Sequence, residues 1–113
     1  EINQDVMRQQ EEAYPDLNTL VSPLSTDEAY NRALQVAANL GWDIYHQDSN
    51  TGVIEAVDTT SIMGFKDDIV IRVRSSAQGT LLDLRSVSRV GEGDLGANAQ
   101  RIRAFRDAFQ QQE

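Results

Sequence analysis

The residues with the most recognisable chemical pattern lie in a glycine-rich turn between the last predicted strand and the last predicted helix. Residues 91–96 read G-x-G-x-x-G, the pattern that holds a dinucleotide pyrophosphate at a helix N-terminus. That chemistry needs a second parallel strand after the helix, for which the sequence has no residues. Glu92 and Asp94 would also place two negative charges against the pyrophosphate. We therefore predict no cofactor, and interpret the glycines as a tight strand-to-helix corner.

Carboxylates form the second candidate for chemistry. Asp67 and Asp68 could approach Glu55 and Asp58 across a predicted hairpin. Such a group could hold a hard cation through oxygen ligands or supply an acid and a base. The spacing fits no calcium-binding loop, and acidic turns are commonly only solvated, so we predict no metal. The group nevertheless leaves open one alternative function, a small metal-dependent or acid–base enzyme that uses Asp67, Asp68 and Glu55.

Nucleophilic catalysis has few possible parts in this chain. There is no cysteine and one histidine, His46. His46 alternates with Trp42 and Ile44, which predicts a packed strand residue rather than a base. Ser86 and Ser88 have no evident activating base. We predict no catalytic residue, and an enzyme is the less favoured class.

Arginines concentrate in the last third of the chain. Arg72, Arg74 and Arg85 are predicted to share the outer face of a sheet with Asp83, where cross-strand ion pairs account for them. A second hypothesis is a small-anion site near the last helix. It would use Arg89, Arg101 and the free amides at the start of that helix, residues 96 and 97.

One irregular stretch, residues 59–68, exposes apolar side chains around a glycine. Ile62, Met63 and Phe65 lie there. Apolar residues on a loop are candidates for a partner surface, although they can also fold back over an open end of a sheet. Both interpretations remain open at this point.

Composition and charge restrict the partners. The 113 residues carry a net charge of −8, with −10 in residues 1–69 and +2 in the rest. An acidic chain with one lysine and nine arginines offers no basic stripe for phosphate backbones, so we predict no nucleic-acid binding. No stretch is long and apolar enough to cross a membrane. The expected partner is a protein or a small anionic ligand.

Two helices and four or five strands must position these residues. Ser25 and Glu28 form a capping box that begins a helix, and Gly41 follows its end. Asp94 is a good N-cap for the last helix, and Asn98 falls near its buried stripe, where we expect it to bond to the turn at residues 91–93. The apolar stripes are Ala29, Ala33, Val36, Ala37 and Leu40 in the first helix and Leu95, Ala99, Ile102, Phe105 and Phe109 in the last.

The strand candidates are separated by short turns. They begin near Trp42, Val53, Ile69 and Leu81, and residues 17–24 could add an edge strand. Short connections favour antiparallel neighbours. We predict an α+β domain over residues 14–113, an antiparallel meander sheet of four to five strands with two helices packed on one face. Residues 1–13 are interpreted as a polar extension or linker remnant.

Several motifs together resemble a known family. They are Tyr14-Pro15-Asp16-Leu17, Leu40-Gly41-Trp42, Gly52-Val53-Ile54-Glu55-Ala56, Gly64-Phe65-Lys66-Asp67-Asp68 before Val70-Ile71-Arg72-Val73, and Ser88-Arg89-Val90-Gly91 before Asp94-Leu95-Gly96-Ala97-Asn98-Ala99-Gln100-Arg101-Ile102. Over about residues 14–110 they are similar to the domain of unknown function family 1499. The order of elements is also similar to helix-grip domains, as a fold-level analogy only.

The resemblance implies a location and a set of residues, but no established activity. Members occur in bacteria and plastids, often behind an N-terminal hydrophobic segment, which implies a periplasmic or membrane-anchored domain at the cell envelope and possible membrane proximity. The favoured function is a non-catalytic binding or scaffolding module. The polar motif positions carried over are Asp67, Asp68, Arg72, Ser88, Arg89, Asp94, Asn98 and Arg101, which join Ile62, Met63 and Phe65 as the candidate surface.

Overall fold

Two helices and five strands make up the part of the chain that the computed structural model describes, residues 19–59, 66–88 and 95–111. The strands are short to medium in length, and the second helix is the longer of the two. In chain order the elements are β1 (Thr19–Ser22), α1 (Thr26–Asn39), β2 (Asp43–Asp48), β3 (Val53–Thr59), β4 (Lys66–Ser76), β5 (Gly79–Ser88) and α2 (Leu95–Gln111).

The strands form one antiparallel sheet in the order β1-β5-β4-β3-β2. Strands β2 to β5 are consecutive neighbours, as the short turns predict. Strand β1 lies at the edge beside β5, so the predicted edge strand is confirmed as the fifth strand. The predicted α+β class and the order of helix, strands and helix are confirmed.

The local signals at α1 act as their chemistry predicts. Ser25 and Glu28 form the capping box: the Glu28 amide donates to Ser25 Oγ at 3.1 Å, and the Ser25 amide donates to Glu28 Oε1 at 3.3 Å. Gly41 follows the helix with φ of +87°, a left-handed conformation that favours glycine. The small residues of the stripe, Ala33 and Ala37 among them, are fully buried.

Both helices pack on the same face of the sheet, which we call the inner face. Their apolar stripes join the inward residues of β3, β4 and β5 in one core. Phe105 is fully buried in this core and stacks against Trp42 and Phe109, with ring centroids 5.7 Å and 5.9 Å away. The predicted packing of both helices on one face is therefore confirmed.

A bulge in β2 overturns one expectation. Ile44 pairs with Ala56 and His46 with Glu55, so Tyr45 is the extra residue of the strand. A bulge breaks the alternation of side chains, and His46 consequently lies on the outer face, half-exposed, with Nε2 4.0 Å from Glu55 Oε2. The prediction of a packed His46 is wrong because single-residue alternation cannot anticipate a bulge.

The outer face of the sheet carries the arginines that the alternation predicts. Arg74 Nε lies 2.9 Å from Asp83 Oδ2, and Arg72 is directly opposite Asp83 on the neighbouring strand. The predicted cross-strand ion pairing is confirmed at Arg74. Among the described residues, no helix is long and apolar enough to span a membrane.

Candidate functional site

Polar side chains gather at one end of the inner face of the sheet. Asp58 is directly opposite Asp67, Asp67 is opposite Ser88, and Ser86 is opposite Ile69. All of them continue the inward alternation of the core residues on their strands. Helix α2 crosses this end and adds an amide and a guanidinium. We call these six residues the corner cluster: Asp58, Asp67, Ser86, Ser88, Asn98 and Arg101.

Arg101 lies at the centre of the corner cluster and binds both carboxylates. Its Nε lies 2.8 Å from Asp58 Oδ2, and its Nη2 lies 2.8 Å from Asp67 Oδ2. The exposed fractions of the side chains are 9% for Arg101, 5% for Asp67 and 30% for Asp58. Like charges directly opposite each other on neighbouring strands destabilise a sheet. Arg101 therefore offsets a repulsion that the strand register itself creates.

Asn98 completes the cluster from the preceding turn of α2. Its Oδ1 accepts from Ser86 Oγ at 2.6 Å and from Arg101 Nη1 at 2.8 Å, and its Nδ2 donates to Ser88 Oγ at 3.5 Å. Arg101 Nη1 also donates to Ser86 Oγ at 3.0 Å. The predicted burial of Asn98 is confirmed, while its predicted bond to the turn at residues 91–93 lies outside the described residues.

The cluster holds the ends of two connections of the chain. Asp58 and Asp67 sit one residue inside Thr59 and Lys66, between which residues 60–65 run. Ser88 ends β5, and α2 begins at Leu95 after residues 89–94. Both ends of the first connection therefore adjoin a cluster residue. The second connection begins directly after Ser88 and ends about one helical turn before Asn98. The network fixes where both connections start and finish.

Within the part of the chain that the structure describes, the members of the cluster bond to one another. Both carboxylates bind Arg101, and the hydroxyl of Ser86 donates to an amide oxygen rather than to a base. A nucleophile needs a base within hydrogen-bond reach, and an amide oxygen cannot serve. This arrangement is that of a structural network that ties a helix to a sheet end.

The predicted carboxylate group does not assemble as one site. Asp58 and Asp67 point to the inner face, whereas Glu55 and Asp68 lie on the outer face. The expectation that Asp67, Asp68 and Glu55 act together is therefore wrong, because strand neighbours point to opposite faces. Within the described ranges no three His, Cys, Asp or Glu side chains are close enough to share a metal ion.

The predicted surface residues fall into three groups. Asp67, Ser88, Asn98 and Arg101 come together in the corner cluster. Asp68 and Arg72 lie on the outer face, where Tyr45 Oη is 3.5 Å from Asp68 Oδ1. The remaining candidates lie outside the described residues: Ile62, Met63, Phe65, Arg89 and Asp94.

Sequence reasoning missed two members of the cluster. The sequence suggests Ser86 only as a nucleophile and Asp58 only as one of a group of possible metal ligands. The position of each residue in its strand could have identified it. Asp58 is on the same side of its strand as Ile54 and Ala56, because alternate residues of a strand share a face. Ser86 alternates with Leu84 in the same way. A polar residue in phase with a buried stripe requires a buried partner, which α2 supplies.

A cleft of 290 Å³ lies at the opposite end of the sheet, between the start of α1 and the turn at residues 49–52. Tyr30 forms part of its wall and donates its hydroxyl to the Val53 carbonyl at 3.0 Å. Burial raises the pKa of the Tyr30 hydroxyl above its ordinary value. The turn residues bond locally, as the Asn50 amide does to Asp48 Oδ1. The Tyr30 hydroxyl thus joins α1 to β3, and the Asn50 amide stabilises the β2–β3 turn.

Comparison with known proteins gives a family. The family described as "Protein of unknown function (DUF1499)" matches residues 2–109, nearly the whole chain. No curated protein matches significantly. The chain belongs to the DUF1499 family, and the resemblance read from its motifs is confirmed.

Proposed function

We propose that this member of the DUF1499 family is a non-catalytic binding module that presents its two corner connections, residues 60–65 and 89–94, to a protein partner. The supporting observation is the corner cluster. A network of mutually bonded side chains, buried at Asp67, Ser86 and Asn98 and partly buried at Asp58 and Ser88, holds the ends of both connections. Binding residues commonly lie on loops that a rigid scaffold positions.

The side chains of these connections suit a protein surface. Ile62, Met63 and Phe65 supply apolar and aromatic groups, and Arg89 supplies a guanidinium. Aromatic residues, methionine and arginine are the types enriched where proteins bind one another. The proposed contact surface is therefore the sheet end that carries Ile62, Met63, Phe65 and Arg89.

A protein fits this site better than a small anion. Arg101, the described guanidinium of the predicted anion site, already binds Asp58 and Asp67 at 2.8 Å. Three charged groups with a net charge of −1 would repel an anion placed beside them. We therefore assign Arg101 to the scaffold and leave recognition to the connections.

Site-specific photo-crosslinking in cells tests the proposal. A photoreactive amino acid at Met63 should give a crosslinked protein product that disappears when Phe65→Asp is added. The matched control places the same group at Gln78, an exposed turn residue between β4 and β5 at the other end of the sheet. Equal crosslinking at both positions, or none at Met63, would contradict the proposal.

We further propose that the module works at the cell envelope, periplasmic or membrane-anchored. The support is the resemblance to family members that follow an N-terminal hydrophobic segment. Fractionation of cells that produce the protein from its natural gene should recover it with periplasmic or membrane markers. Recovery with cytoplasmic markers alone would contradict this location and leave the binding surface itself untouched.

A further inference from the structure

Strand β4 extends past the end of β3 at the sheet end opposite to the corner cluster. Val53, the first residue of β3, is opposite Arg72, and β4 continues for four residues beyond Arg72. Among the described residues, the last backbone bond on this side joins the Val73 amide to the Gly52 carbonyl at 2.8 Å. Residues 73–75 of β4 line the 290 Å³ cleft. The cleft thus lies beside the part of β4 that β3 does not reach.

The β2–β3 turn fixes where the ladder between β3 and β4 stops. The Gly52 amide donates to the Asp48 carbonyl at 2.9 Å, within the turn, rather than to β4. Gly52 has φ of +75°, and a Cβ there would lie 2.1 Å from the Val73 carbonyl oxygen. A glycine lets the turn approach β4 this closely before the chain leaves the sheet.

The backbone of Ser75 faces the cleft with both of its hydrogen-bonding groups. Alternate residues of an antiparallel strand bond to opposite neighbours. Because Val73 bonds to Gly52 on the β3 side, Ser75 also points its N–H and C=O to that side, where no described residue bonds to them. Ser75 is exposed. An unpaired N–H and C=O on a strand edge can pair with one residue of an extended chain, so the complementary ligand is a peptide backbone.

The charges around the cleft favour a basic ligand. Six charged side chains lie in its wall or adjoin a wall residue: Asp27, Glu28, Asp48, Arg72, Arg74 and Asp83. Four carboxylates and two guanidinium groups give a net charge of −2. Arg72 lies on the outer face, and Asp83 holds Arg74 Nε at 2.9 Å. Within the described ranges, Asp27 forms no ion pair. The cleft therefore favours a cation near Asp27.

The face of the sheet connects the backbone site to this carboxylate. Ser75 is on the same side of β4 as Ile71 and Val73, the inner face against which α1 packs. Side chains of directly opposed strand residues share a face. A residue paired with Ser75 would therefore direct its side chain to the inner face, where the first turn of α1 carries Asp27 into the cleft wall.

We propose that this cleft binds an extended basic segment of another protein. One residue of the segment pairs with the backbone N–H and C=O of Ser75, and the lysine or arginine side chain of that residue contacts Asp27. The cleft has the volume of about ten water molecules, which limits the contact to a short stretch of the segment. Binding should therefore be weak and should weaken further as salt is added. This surface is separate from the corner connections.

An NMR titration of the whole chain, labelled with nitrogen-15, tests the proposal. The probe is the peptide acetyl-TVKVT-amide, whose β-branched residues favour an extended backbone. The amide signal of Ser75 should shift in a saturable way as peptide is added, while that of Asn98 in the corner cluster should not move. The peptide with glutamate in place of its lysine should bind at least tenfold more weakly.

Two matched pairs separate the backbone contact from the charge contact. Methylation of the lysine backbone nitrogen removes the donor to the Ser75 carbonyl and should abolish binding, whereas methylation of the valine after it should not, since neighbouring residues bond to opposite sides. Asp27→Asn should weaken binding roughly fivefold, the size of an exposed ion pair. Asp107→Asn, at an exposed position of α2, should leave the affinity unchanged.

Three results would overturn the proposal. The first is an unmoved Ser75 signal at millimolar peptide. The second is equal affinity for the lysine and glutamate peptides, or for the two methylated peptides. The third is a Ser75 signal that shifts with protein concentration when no peptide is present, which would assign the strand edge to a second copy of the chain.

Discussion

Arg101 of α2 and Asp67 of β4 form a buried ion pair, with Nη2 2.8 Å from Oδ2, that fastens the first turns of the last helix to the end of the sheet. Asp67 is opposite Asp58 on the next strand, and the same guanidinium binds both. The pair therefore links three elements of the fold at the point where two connections leave it.

Removal of the guanidinium should destabilise the domain strongly. Arg101→Met leaves two opposed carboxylates without their cation, and loss of one partner of a buried ion pair costs about 3–5 kcal/mol. The free energy of unfolding in urea measures the effect. Arg74→Met is the matched control, because its pair with Asp83 is largely exposed and should cost less than about 1 kcal/mol. Equal losses in both variants would contradict a special role for Arg101.

Loss of the buried amide should be smaller but clear. Asn98→Ala removes the acceptor of Ser86 Oγ and of Arg101 Nη1. A buried polar group left without its partner costs about 1–3 kcal/mol. The urea midpoint should fall with an unchanged slope. Asn39→Ala, at an exposed position near the end of α1, should be close to neutral, and an equal effect there would contradict the prediction.

Truncation of the central aromatic residue should disturb the core. Phe105→Ala should cost about 3–5 kcal/mol, because Phe105 is fully buried between Trp42 and Phe109. Trp42 is the only tryptophan of the chain, so its fluorescence reports both the unfolding midpoint and the altered native packing. Ala104→Ser on the exposed side of α2 should change neither.

Alanine substitutions at Gly41 and Gly52 should distinguish the cost of a left-handed backbone from the cost of a steric clash. Gly52 has φ of +75°, and a Cβ there would lie 2.1 Å from the Val73 carbonyl oxygen. Gly41 has φ of +87° with no atom within 4 Å of such a Cβ. Gly41→Ala should cost about 1–2 kcal/mol from the left-handed backbone alone. Gly52→Ala should lower the free energy of unfolding in urea by more than Gly41→Ala does, because the new Cβ also meets the Val73 carbonyl oxygen. Equal losses would contradict this prediction and would mean that the β2–β3 turn moves to avoid the contact.

The sequence predicted the fold where local chemistry decides it. The Ser25–Glu28 capping box, the alanine stripe of α1 and the short turns act within a few residues, so spacing alone indicates them. The bulge at Tyr45 cannot be predicted from such local signals. Nothing in the alternation of β2 marks the extra residue, and His46 was therefore assigned to the wrong face.

The candidate site was predicted only in part, because its partners are distant in sequence. The sequence points to Arg101 and Asn98 on the helix, but their binding to Asp58 and Ser86 depends on strand register and on where α2 crosses the sheet. Asp67 and Asp68 are neighbours in the chain, which suggests a shared site, although adjacent strand residues face opposite sides. Only the assembled sheet separates them.

Amide hydrogen exchange in Arg101→Met tests most directly whether the corner cluster holds both connections. Exchange should accelerate together at the flanks of the two connections, at the amides of Thr59, Lys66, Ser88 and Ala97. At the opposite end of the sheet, at Val53 and Gly79, exchange should rise by no more than the loss of global unfolding free energy accounts for, and in the Arg74→Met control it should change little throughout. A rise confined to α2, or spread evenly over all strands, would contradict the account.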